Sequence, residues 1–289
     1  MNNKQVTDAY RRFERQGLVL EGFRKEVTPN VVRFVSDGES GSFISFFEVP
    51  EQDADQLIQQ EIAYFTTLGK DFEWKVFSTD EPAGFGEKLV SQGFVKESTE
   101  SFMVLPLPVS QATETETETE IETEIETETD AVEIEPTRFE PDLALRSEAV
   151  SVVEVIDEAG IRAAMSVQEQ VFGGNWEDHT AELIATKQKR PDDLKIYVVF
   201  DAEMPVSSAW LRFTEGSPFA GLWGGATLDS HRGKGYYSAL VKRRIRDAMA
   251  KQKQYLTIDA SEMSRVIVEK HGFQHVAITS PYLWKPTQE

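Results

Sequence analysis

The chain has 289 residues, 40% of them hydrophobic, with 30 Lys and Arg against 50 Asp and Glu, a formal net charge of −20. That balance argues against a chain built as a whole to grip nucleic acid or an anionic membrane surface. There is no cysteine, which excludes disulfides, thiolate metal sites and a cysteine nucleophile.

The first half opens with a predicted helix over residues 7–16, with Thr7 as N-cap. Strands follow over 31–36 and 43–48, separated by Asp37-Gly38 and Gly41 and stopped by Pro50. A helix over 53–68 carries Ile58, Ile62 and Phe65 at helical spacing and closes at Gly69. A strand over 72–77, a short helix over 83–92 and a last strand within 94–107 complete this half. The stretch 102–109 is the longest apolar run. It holds two prolines and is too short to span a bilayer. With no basic stretch and apolar run at the start, a soluble cytoplasmic protein is expected.

The middle block, residues 110–149, holds 14 acids and 2 bases and contains TETETETEIETEIETETD. It offers too little apolar surface to offset chain entropy, so it reads as an extended, solvated linker. An acidic arm that recruits a basic partner is the functional alternative.

Residues 150–289 hold 18 acids and 17 bases. A strand over 151–156 leads through Asp157 into a helix to 172, followed by a helix over 177–189. Strands over 195–200, 206–213 and 219–228 come next, the last rich in glycine. A loop over 229–235 enters a helix over 236–251. A strand over 255–259, a short helix over 264–271 and strands over 273–279 and 282–284 end the chain. Both halves share the order strand, helix, strand, short helix, Gly-Phe, strand, with Gly93-Phe94 answering Gly272-Phe273. That weak repeat points to a duplicated architecture. Two domains, 1–109 and 150–289, joined by the linker 110–149, are expected.

The segment LDSHRGKGYYSAL, 228–240, carries the chemistry. A strand ends, a loop brings Arg232, Gly233, Lys234 and Gly235, and an amphipathic helix begins. Glycines let the backbone approach a ligand, and a helix N-terminus offers unpaired N–H groups and a positive dipole end. That combination suits a phosphate or pyrophosphate. The helix that follows is basic, through Lys242, Arg243, Arg244, Arg246, Lys251 and Lys253; such a run reads as one solvated face. A P-loop would need Ser or Thr after Lys234, and a dinucleotide fingerprint would need a third glycine. The four histidines show no ligand spacing, so no metal site is expected. Trp210 and Trp223 read as core.

The segment resembles the acyl-CoA loop of the GNAT N-acetyltransferase superfamily, Arg/Gln-x-x-Gly-x-Gly/Ala. Arg232, Gly235 and Tyr237 stand at the marked positions, Tyr237 departing from the pattern. The downstream strand, short helix and Gly272-Phe273 match as well. The resemblance covers about 150–284, and the first half looks like a degenerate copy of the same family. It implies a mixed α/β fold, with two GNAT-like domains whose mixed, mostly antiparallel central sheets are flanked by helices. It also implies acetyl-CoA as acyl donor. Pantetheine would lie along Ala226, Thr227 and Leu228, and the pyrophosphate on backbone amides from Arg232 through Gly233, Lys234, Gly235 and Tyr236 to Tyr237. Ser264 stands near the place of a frequent family Asn.

The family's usual acid, a Tyr, is replaced by Val268, and the strand before the loop carries no acidic base. Asp259 and Glu262 are the substitute bases and Tyr282 the substitute acid. The expected function is transfer of an acetyl group to the amine of a small molecule by direct attack, and the net charge of −7 over residues 1–109 hints at a cationic acceptor. A non-catalytic acyl-CoA-binding module is the alternative.

Overall fold

A computed structural model describes residues 1–38, 41–108 and 150–286. The linker expected over 110–149 lies outside the described residues. The first half comprises α1 (Asn3–Tyr10), a π-helical turn (Arg11–Arg15), β1 (Phe23–Val27), β2 (Val31–Ser36), β3 (Ser42–Phe47), α2 (Ala54–Leu68), β4 (Phe72–Phe77), α3 (Phe85–Ser91), β5 (Val95–Lys96) and β6 (Glu100–Pro106). The second comprises β7 (Val152–Val155), α4 (Glu158–Phe172), α5 (Glu177–Lys189), β8 (Leu194–Asp201), β9 (Met204–Phe213), β10 (Phe219–Thr227), α6 (Tyr236–Ala250), β11 (Tyr255–Ala260), α7 (Glu262–Glu269) and β12 (Gln274–Trp284). None of the described helices is long and apolar enough to cross a membrane.

Local chemistry sets the element ends. Asp157 accepts from the Gly160 amide at 2.8 Å as the N-cap of α4, a contact worth about 1 kcal/mol. Gly69 ends α2 in the left-handed region, at φ 63°. α1 starts earlier than residue 7, because Asn2 takes the cap; Thr7 sits inside the helix and donates back to Asn3 O. β1 carries the sequence FRKEV and had no apolar alternation to reveal it. Pro281 does not divide the last strand, which runs unbroken as β12.

The expected two sheets are one. Among the described residues twelve strands form a single mixed sheet in the order β1-β2-β3-β4-β12-β6-β11-β10-β9-β8-β7, with β5 beside β12. The halves exchange their final strands. β12 pairs with β4 of the first half, Tyr282 opposite Trp74. β6 pairs with β11 of the second, Phe102 opposite Asp259.

One face of the sheet carries two cores. In the first half Leu57, Ile58 and Phe65 of α2 and Phe85 and Leu89 of α3 pack on Phe72 and Trp74. In the second, Leu240, Val241 and Ala248 of α6 and Val268 of α7 pack on Ala209, Leu211, Leu256 and Ile258. The opposite face is covered by α1, with Val6 against Phe77, Phe102 and Phe219. There α4 and α5 also pack, with Ile161, Ala164, Met165 and Leu183 against Trp210.

Candidate active site

The site begins where two parallel strands part. β10 and β11 pair only through Phe219, Ala220 and Gly221 with Tyr255, Leu256 and Thr257. Beyond Gly221, β10 stays with β9 through a bulge between Trp223 and Ala226. The side of β10 that faced β11 is thereby freed from its ladder, opening a wedge lined by backbone groups. Gly224 sits in the bulge at φ 57°, and a Cβ there would fall 1.8 Å from the Trp210 ring. Gly225 lies under the Tyr237 ring, 2.7 Å from an added Cβ. Trp210 is core, as expected; Trp223 is not, being 46% exposed.

Ala226 and Thr227 end β10, opposite Ser208 and Ser207 of β9. Ser207 Oγ donates to Ala226 O at 2.7 Å, and Leu228 N donates to Val206 O at 2.9 Å. The chain then makes a 3-10 turn over Asp229–His231. His231 is anchored between Ser230 Oγ at 2.9 Å and Asp201 at 3.2 Å. Arg232 folds back on its own loop, 2.8 Å from Asp229, with Nε reaching Thr227 O at 3.4 Å. Lys234 is half-exposed, 3.9 Å from Asp201. Gly233 and Gly235 have φ of 76° and 82°, and a Cβ on either would meet nothing. Glycine is needed there for conformation and not for space.

Gly235 caps α6 without a side-chain bond, and no acid stands in the first turn. The first-turn amides, from Tyr236 and Tyr237 on, thus face the loop without intrahelical acceptors. The basic run beyond does not form one solvated face. Arg244 is fully buried. Arg243 pairs with Asp247 at 2.9 Å, Lys251 with Asp192 at 2.8 Å, and Lys253 donates to Ser217 O at 2.6 Å.

The acid and base candidates separate in space. Asp259 stands at the end of β11, on the face covered by α1, 2.7 Å from Lys75 Nζ and 3.2 Å from Thr279 Oγ1. Lys75 also reaches Glu100 at 3.3 Å. Burial pulls the Lys75 ammonium down, but Asp259, Glu100 and Glu73 outweigh it and hold it above its usual range. Burial raises Glu73 and Glu100 against the pull of Lys75. Glu262 opens α7 and is exposed. Ser264 lies within the first turn, its amide bonded to the N-cap Ser261. Tyr282 is buried in the first half's core; a Cβ on Gly86 would fall 2.0 Å from its hydroxyl. Two strands, β6 and β11, separate β12 from β10. Val268 is fully buried. Lys75, Glu73 and Glu100 escaped sequence reasoning because their partner Asp259 is far away in the chain. An acid and a base alternating on a strand face, Glu73 and Lys75, were the one available signal.

The first half has a counterpart of the wedge. β3 and β4 pair only through Ser42, Phe43 and Ile44 with Phe72, Glu73 and Trp74. There the space is filled. Phe47 stacks on Phe85 at 4.1 Å, and Trp74 closes the group at 5.1 Å from Phe85. The link from β3 to α2 is Pro50 followed by a 3-10 turn, Glu51–Asp53.

No family model matches the sequence, and no curated protein does either. Solved structures match at low identity. A GCN5-related N-acetyltransferase from Kribbella flavida is 14% identical, with TM-score 0.64, covering 98% of this chain and 96% of its own. A tandem GNAT protein from the clavulanic acid biosynthesis pathway is 12% identical, with TM-score 0.56, covering 100% and 89%. A GCN5-related N-acetyltransferase from Sphaerobacter thermophilus is 12% identical, with TM-score 0.54, covering 98% and 87%. The chain has the tandem GNAT fold. The β10/β11 wedge and the glycine loop lie in the second half; in the first half the β3/β4 split lies beside the rings of Phe47, Trp74 and Phe85.

Proposed function

We propose that the second half is an acyl-CoA-dependent N-acyltransferase, with acetyl-CoA as donor and a small amine as acceptor, acting in the cytoplasm where acyl-CoA is available. The observation that carries this reading is the continuity of the open β10/β11 wedge with Gly233, Gly235 and the uncapped start of α6. The wedge offers strand-edge hydrogen bonds to pantetheine amides alongside Ala226, Thr227 and Leu228. The loop amides and helix dipole favour the pyrophosphate. The first half, with its wedge filled by Phe47, Trp74 and Phe85, is a degenerate copy that does not bind acyl-CoA.

In the reaction a neutral amine attacks the thioester carbon. The C–N bond forms, a bulge N–H group holds the oxygen that gains charge, the C–S bond breaks, and the departing CoA thiolate takes up the proton the attacking nitrogen sheds. The ammonium must first lose a proton, and Glu100 fits this role better than Asp259. Lys75 lies 2.7 Å from Asp259 but 3.3 Å from Glu100, and burial holds Glu100 above its ordinary range. Strand exchange makes this base a contribution of the first half. Three carboxylates, Glu73, Glu100 and Asp259, around one lysine leave a net negative field that suits a cationic acceptor.

Calorimetric titration with acetyl-CoA, followed by CoA release with an amine panel, tests the proposal. Absence of binding at about 1 mM acetyl-CoA overturns it. Binding without turnover on any amine favours the non-catalytic module, for which the buried Val268 in place of an acid speaks.

A further inference from the structure

Two successive carbonyls of the β10 bulge are tied to opposite faces of the sheet. On the α4 face, Gln168 Nε2 donates to Gly224 O at 2.6 Å and to Ser208 Oγ at 2.8 Å. Ser208 in turn donates to Ala164 O at 2.8 Å, which orients the group. On the α6 face, Arg244 Nη1 donates to Trp223 O at 3.3 Å and to Trp210 O at 3.5 Å, while its Nε donates to Leu240 O at 3.1 Å. Both Gln168 and Arg244 are fully buried. Each leaves one polar atom without a hydrogen-bond partner, Gln168 Oε1 and Arg244 Nη2. Among the described residues no carboxylate forms an ion pair with Arg244. Burial draws its guanidinium below the usual range, against the favourable influence of Tyr237 and Tyr197.

Such groups are costly to bury, and core packing alone would be better served by Leu or Met. What they deliver is orientation. In a trans peptide the N–H points opposite to its C=O. Holding Trp223 O toward α6 therefore aims the Gly224 amide the other way. Holding Gly224 O toward α4 does the same for the Gly225 amide. Glycine at φ 57° gives these planes freedom to rotate, and the two ties fix their direction.

We propose that Gln168 and Arg244 are a pair of positioning residues that clamp the two peptide planes of the bulge, so that one of its amides is held toward the acyl carbonyl of the bound thioester. The proposal rests on the reading of the wedge as the acyl-CoA site. The full-length chain and the variants Gln168→Met, Gln168→Glu, Arg244→Met and Arg244→Lys are titrated with acetyl-CoA and with CoA. The carbonyl 13C shift of bound [1-13C]acetyl-CoA is read in each, alongside Tm.

Wild-type protein is expected to prefer acetyl-CoA over CoA and to move the carbonyl resonance downfield. Gln168→Met, Gln168→Glu and Arg244→Met keep CoA affinity but lose the acetyl preference by about fivefold, the worth of one hydrogen bond, together with the downfield shift. Arg244→Lys restores part of both. A folded Gln168 or Arg244→Met variant that keeps the wild-type carbonyl shift overturns the clamp while leaving the acyl-CoA site standing. Wild-type protein that binds neither ligand overturns the site itself. Should Arg244→Met fail to fold, Gln168→Glu and Arg244→Lys decide by the same resonance, the wild-type shift in both overturning the proposal.

Discussion

Two wedges, made by the same topology, meet opposite fates in this molecule. β3 and β4 part after Ile44 and Trp74, and β10 and β11 part after Gly221 and Thr257. In the first, Phe47, Trp74 and Phe85 fill the gap and are almost wholly buried. In the second, Gly224 and Gly225 stand where side chains would be, and the backbone edge of β10 beyond Gly221 has no β11 partner. The approach to each differs as well. One enters its helix through Pro50, Glu51 and Asp53, placing negative charge where an anion would sit. The other enters through Gly233 and Gly235 with no acid in the first turn. A splayed pair of strands is thus a permissive frame, and the side chains at its apex decide whether it becomes core or cleft.

The contrast can be attacked from both sides. Phe85→Ala, which empties the filled wedge, is expected to cost about 3–5 kcal/mol in denaturant unfolding. It should add no acetyl-CoA affinity by calorimetry, because the glycine loop is missing there. Gly224→Ala drives a methyl into the Trp210 ring at a positive φ. It should cost about 2–4 kcal/mol by the same assay and abolish acetyl-CoA binding.

Lys75→Met removes the ammonium shared by Glu73, Glu100 and Asp259 at the seam between halves. A loss of about 2–3 kcal/mol is expected, less than for a fully enclosed pair. The acid limb of the rate profile of the proposed reaction should move to higher pH, as Glu73 and Glu100 lose the charge that favours their ionised form.

The smallest effect concerns His179, beside Trp176 and Trp210. Burial, with Arg212 nearby, lowers its pKa from 6.5 to about 4. The unfolded chain then binds the proton more readily than the folded one. Stability should be unaffected above pH 6.5 and decline as pH falls from there toward 4. Tm scans of His179→Gln should show a shallower decline than wild type over that range.

The glycine loop and its helix were legible in the sequence because backbone conformation leaves a local mark. A left-handed φ calls for glycine, and an amphipathic stripe follows at once. The strand exchange left no such mark. Nothing near Phe102 says that its neighbour will be Asp259, and nothing near Asp259 names Lys75. Arg244 hid for a different reason. In a run of six bases it looked like one more solvated charge, yet it sits on the buried stripe with Leu240, Val241 and Ala248. Tyr282 was assigned to the second half because it follows that half in the chain, but β12 carries it into the first half's aromatic core.

The exchange of β6 and β12 also sets an order in time. During synthesis β6 emerges long before β11, the strand it must lie against, and β4 waits for β12, the last strand described. Until then the apolar stretch Phe102, Met103, Val104 and Leu105 has no ladder on either side, the kind of unpaired strand that invites wrong pairing. The first half therefore lacks two of its sheet neighbours, β11 and β12, until the second half is made.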